Sequence, residues 1–197
     1  MLALAPLAVP LLAAQAPERW EQVITPADRE RLRNARDAWI AGLDRARAAA
    51  PAAIAAGGEL FDPDHAYPDG ALPPAGDYRC RVFKLGAKGT AMADFTAYPA
   101  FSCRLDAHGI QRSFEKIDGR QRPVGLIYPR DPARAIFLGT LALESEAKAT
   151  RYGRDARRDL AGFVERIGDG RWRLVLPYPG FESIIDVIEL VPAPRGN

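Results

Sequence analysis

Residues able to do chemistry are sparse in this chain and widely separated. There are two histidines, His65 and His108, and four serines, Ser102, Ser113, Ser145 and Ser183. A hydrolytic triad needs a nucleophile, a base and an orienting group within hydrogen-bonding reach, and no serine sits in a Gly-x-Ser-x-Gly elbow. Asp62, Asp64, His65 and Asp69 offer oxygen and nitrogen ligands over a short span, but prolines interrupt them and the spacing is not that of an EF-hand. The reading for this group is solvated linker acids and no metal. Arg151, Tyr152, Arg154, Arg157 and Arg158 could hold a phosphate or carboxylate, although Asp155 and Asp159 compensate the charge within the same stretch.

Asp186 is more specific. It is an acid flanked by Ile184, Ile185, Val187 and Ile188 in a run that is otherwise apolar on both faces. A carboxylate there must be paired, neutralised or turned to water. Three readings stay open: an ion pair with Arg171 or Arg173 of the preceding run, a rim position facing water, or a polar contact inside a pocket. Trp172, Arg173, Arg151, Tyr152 and Arg154 join Asp186 as candidate ligand-binding residues. Catalysis would require Asp186, Glu165 or His108 to converge in one cleft. Nothing in the spacing asks for that, and no cofactor motif is present.

The elements that must position these residues are mostly strands. Three apolar runs, residues 162–167, 171–176 and 184–191, are joined by Gly168-Asp169-Gly170 and by a link opening Pro177-Tyr178-Pro179-Gly180. Glycine and proline fix both links as reversals, which gives an antiparallel meander. Five further strands are expected at residues 78–85, 101–106, 111–117, 124–128 and 135–143. Most of the links are too short for helical crossovers, so neighbours pair antiparallel. The expected fold is mainly β (α+β): an eight-stranded up-and-down meander or calycin-like barrel, spanning residues 76–193. Such a lumen is either plugged by aromatic side chains or large enough for one small ligand.

Upstream, Thr25-Pro26-Ala27-Asp28 has the grammar of a helix start. Leu32, Ala35, Trp39, Leu43 and Ala46 then recur at helical spacing. One amphipathic helix is expected from there to Pro51, covering the outside of the sheet. A proline- and aspartate-rich linker, residues 61–75, should lie extended over the surface. Helix and linker (residues 17–75) and barrel form one domain.

The chain has 197 residues, 48% apolar and 26% charged, with a formal charge of +2. That balance is ordinary for a globular chain and excludes nucleic acid as the expected partner. Residues 1–16 carry no charged side chain, are rich in Leu and Ala, and end Ala14-Gln15-Ala16, as in a secretory signal peptide. The segment is too short and proline-broken for a membrane span, so the mature protein is not an integral membrane protein. In an exported chain, the two cysteines, Cys80 and Cys103, are expected to form one disulfide, with two buried thiols as the alternative.

The runs Gly76-Asp77-Tyr78-Arg79-Cys80-Arg81-Val82, Tyr98-Pro99-Ala100-Phe101-Ser102-Cys103-Arg104 and Arg122-Pro123-Val124-Gly125-Leu126 resemble an exported bacterial family known as domain of unknown function 4893. Phe137-Leu138-Gly139-Thr140 and the closing Arg171-Trp172-Arg173-Leu174-Val175-Leu176-Pro177 fit the same family. The resemblance runs from about residue 24 to 191. It implies a location in the periplasm or envelope of Gram-negative bacteria and a single undivided domain, and it brings no catalytic residues. The expected function is a noncatalytic binding module for a small apolar or amphipathic ligand. The alternative is a filled-barrel scaffold or inhibitor whose partner is an envelope protein.

Overall fold

A computed structural model describes residues 18–144, 146 and 148–194; the expected leader, residues 1–16, lies outside them. Alternating side chains and tight turns produce nine antiparallel strands. They are β1 (Gly76–Ala87), β2 (Phe95–Ala97), β3 (Phe101–His108), β4 (Gln111–Lys116), β5 (Gln121–Pro129), β6 (Ala135–Leu143), β7 (Asp159–Gly168), β8 (Arg171–Pro177) and β9 (Ser183–Pro192). Each strand from β3 onward pairs with the next, and β9 returns to pair with β1 over almost its whole length, from Tyr78 opposite Pro192 to Ala87 opposite Ser183. The sheet closes as an eight-stranded barrel. The expected eight strands are present, and the ninth, β2, is the upper half of a broken return strand. Phe83–Leu85 of β1 pair with β2 while Gly76–Cys80 pair with β3. Pro99 has no N–H to donate, which fits the interruption of the ladder between the two halves.

Three apolar layers result. The lumen side holds Tyr78, Cys80, Cys103, Leu105, Phe114, Phe137, Trp172, Leu174 and Leu190. Cys80 and Cys103 both face it and are joined as a disulfide with Cα atoms 6.1 Å apart, pinning β1 to β3. The opposite face of β1, β8 and β9 packs against the helical segment, and the outside of β5 to β7 packs against the N-terminal residues.

The single helix expected between Pro26 and Pro51 is divided. After a short turn, α1 (Trp20–Val23), come α2 (Pro26–Arg33), α3 (Ala35–Ala49) and α4 (Pro51–Gly57), with breaks at Asn34 and Ala50. The Thr25 side chain accepts from Asp28 N, as the helix-start grammar requires. In α3, Ala38, Trp39, Leu43 and Ala46 are buried against Phe83, Leu85, Val175 and Val187. Gly42 permits this close approach, because a Cβ there would lie 2.5 Å from Ile185 and 3.2 Å from the Leu85 carbonyl oxygen. The offset at Asn34 lets α2 face β7 while α3 faces β1 and β9.

The linker departs from its expected surface path. Phe61 and Ala71 are buried, and Ala71 and Leu72 pack into the lumen layer. Trp172 Nε1 donates to the Gly70 carbonyl at 2.8 Å, Tyr78 Oη to the Pro74 carbonyl at 2.7 Å, and Ala71 N to the Pro132 carbonyl at 3.1 Å. All three anchors lie at the end where β1 and β8 start and β5 stops. The linker therefore stoppers that end of the barrel. No helix among the described residues is long and apolar enough to cross a membrane, which says nothing about strands.

Candidate functional site

The opposite end is open. Inward-facing side chains of β1, β6, β7, β8 and β9, together with the rim turns, enclose a cavity of about 680 Å³. Its walls include Val82, Phe101, Leu141, Leu160, Leu176 and Ile188. Its size falls in the range of small-molecule sites, which are mostly apolar with a few convergent polar groups.

The polar group set into this apolar wall is an ion pair on the seam where β1 meets β9. Lys84 and Asp186 are directly opposite in register, and Lys84 Nζ donates to Asp186 Oδ2 at 2.9 Å. The hydroxyl of Ser183 donates to the other carboxylate oxygen, Oδ1. Glu182 stands 3.4 Å from Lys84 on its far side and accepts from Gln121 Nε2 at 3.3 Å. Burial pushes the Asp186 carboxyl up, against the pull of the Lys84 ammonium and the Ser183 hydroxyl. Burial also works against the Lys84 ammonium, but the Asp186 and Glu182 carboxylates outweigh it and hold the lysine above its ordinary value.

The rim is built by the loops that follow the strands. Gly180 in the β8–β9 loop abuts the Arg157 carbonyl so closely that an added Cβ would lie 2.0 Å from that oxygen. This contact sets Phe181 beneath the Arg157 guanidinium, 5.8 Å from ring centroid to Cζ. On the facing side Lys116 Nζ lies 4.4 Å above the Phe101 ring. Tyr178 and Glu182, flanking Phe181, both take positive φ, at 47° and 64°, a conformation that side-chain-bearing residues adopt only when their surroundings hold it.

Of the residues singled out in sequence, Arg157 and Arg158 line this cavity, and so does Asp186. Its partner is Lys84, not Arg171 or Arg173: those arginines alternate to the outer face, where Arg171 pairs with Glu189 at 2.7 Å and Arg173 with Glu165 at 2.8 Å. Arg173, fully buried, also donates to the carbonyls of Glu59, Asp62 and His65 at 3.0, 2.6 and 2.8 Å and lies under Trp39. It fastens the linker to the barrel. Trp172 packs in the stoppered end. Tyr152 Oη donates to Asp28 Oδ2 at 2.6 Å and accepts from Thr25 N at 3.1 Å, tying α2 to the β6–β7 connection. Arg151 and Arg154 are exposed on that connection. Glu165 is on the outer face and His108 is exposed at the end of β3, at the far end of the barrel, so neither meets Asp186. In the linker, Asp64 pairs with Arg36 and Asp69 with Arg166, and no group of three potential metal ligands occurs among the described residues.

Lys84, Lys116 and Phe181 are the site residues that sequence reading passed over. Lys84 had a signal available, since it shares the parity of Tyr78, Cys80 and Val82 and so must face the lumen. The family model described as Domain of unknown function (DUF4893) matches residues 20–190. The chain belongs to that family. The matched residues of this DUF4893 chain run from α1 through all but the last two residues of β9, stopper and open end alike. No curated protein and no solved structure matches the chain.

Proposed function

We propose that the protein is an exported, noncatalytic binding module that holds one small apolar or amphipathic molecule in the open half of its barrel. The observation that carries this reading is the cavity itself: about 680 Å³, walled by aliphatic side chains, with a single buried ion pair set into it. Asp186 and Lys84 are the polar contacts on offer to a ligand. Each already has a partner, so they can orient a bound group without being left uncompensated when it departs. The disulfide accords with export to the periplasm, where such bonds persist.

The rival reading, a scaffold or inhibitor acting through its surface on an envelope protein, calls for a packed lumen. The open half of the barrel favours the ligand. Native mass spectrometry of the mature chain after incubation with a Gram-negative envelope extract tests the choice. A discrete added mass of small-molecule size, lost when Leu160→Trp fills the lumen, is the expected result. A bare chain, or an adduct indifferent to Leu160→Trp, would overturn it.

A further inference from the structure

The charges around the cavity do not cancel. Glu182 and Asp186 are both committed to Lys84. Arg158 is committed to Glu146 and Asp155, and Arg120 to Glu144, acids that lie outside the lining. Two cations of the lining are left: Lys116 and Arg157 form no ion pair, and their charged groups make no hydrogen bond, among the described residues. Asp118, also in the lining and on the same turn as Lys116, favours its charge but lies beyond ion-pair range, which leaves two unpaired cations against one unpaired acid among the described residues of the lining.

Each of these two cations rests over a phenyl ring that also lines the cavity, Lys116 over Phe101 and Arg157 over Phe181. The ring supports the charge from one side and leaves the donors on the other side open. Burial pushes the Lys116 ammonium down, as expected of a cation kept partly from water without a counter-ion. Below them the walls are aliphatic: Val82, Leu141, Leu160, Leu176 and Ile188. A chamber with apolar walls and two uncompensated cations at its lip is complementary to a molecule with the reverse distribution.

Resting on the reading of the lumen as a ligand site, we propose that the ligand is a single-chain anionic amphiphile, its tail in the barrel and its carboxylate or phosphate head at Lys116 and Arg157. The chemistry these donors recognise is common to the two heads, because ammonium and guanidinium form charge-assisted hydrogen bonds with either.

Calorimetric titration of the full mature chain with four twelve-carbon probes, each below its aggregation concentration, tests the assignment: dodecanoate, dodecyl phosphate, dodecanol and dodecyltrimethylammonium. One or both anions should bind at least about tenfold more tightly than dodecanol, and the cation should not bind. The stronger of the two anions identifies the head. Lys116→Gln with Arg157→Gln should erase the advantage over dodecanol, in a variant shown to be folded by circular dichroism. Decanoate should bind about tenfold more weakly than dodecanoate. Equal affinity for dodecanol and both anions would overturn the charge assignment and leave the lumen reading standing. Binding of none of the four, or binding that survives Leu160→Trp, would overturn both.

Discussion

At the residue scale, two buried cations do different work. Lys84 has a single strong partner in an apolar wall, and removing one member of such a pair strands the other. Lys84→Met should therefore cost about 3 kcal/mol, whereas Lys84→Met combined with Asp186→Leu should recover most of the loss, both read by urea unfolding. The pH dependence follows from the directions of the shifts. A lysine raised above 10.5 in the folded state adds stability that is fully present below that value and is lost as pH rises through the raised one. Asp186, raised above 3.8, favours the fold most when protonated, and that contribution fades as pH rises through its raised value. The gap between wild type and Lys84→Met should thus be wide at about pH 7 and close towards about pH 12; a gap that is unchanged in alkali would mean the pair is not ionised. Arg173 differs because its fork reaches Glu165 and four backbone carbonyls together. Arg173→Lys keeps the charge but cannot reproduce the fork, and should cost about 3 kcal/mol in the same assay.

At the scale of elements, what could be read from sequence was whatever obeyed a local period. The strands were legible because alternation and Gly/Pro punctuation are properties of neighbouring residues: residues 135–143 were placed to the residue, and the others to within about three. β2 was not legible, since three residues ahead of Pro99 carry no period and gain their pairing only from β1. The division of the helix at Asn34 was hidden for a related reason: the apolar stripe continues across it while the barrel surface beneath curves away. Asp186 could be recognised as anomalous from its neighbours, but its partner, Lys84, lies 102 residues away across the closing seam, beyond any local pattern. The disulfide was legible as a pair because only two cysteines exist. Reducing it in the mature chain should lower stability by roughly 3 kcal/mol without opening the barrel seam, which circular dichroism and urea unfolding with and without reductant would check. A chain whose unfolding midpoint ignored reductant would contradict the bond.

At the scale of the whole molecule, the barrel is asymmetric along its axis, stoppered by residues 70–74 at one end and open between Lys116 and Arg157 at the other. The seam of β1 with β9 joins the first long strand to the last, and it is the pairing with the greatest sequence separation in the barrel, so its loop-closure cost is the largest the chain must meet. Lys84 and Asp186 sit on that seam. A slip of one residue would turn Lys84 outward beneath α3 and leave Asp186 alone in the lumen, and a slip of two would set Lys84 against Ile184 or Ile188 and Asp186 against Val82 or Gly86. The ion pair thus acts as a latch that accepts only one key. The doubly apolar variant, for all its equilibrium stability, should close more slowly and in more than one way.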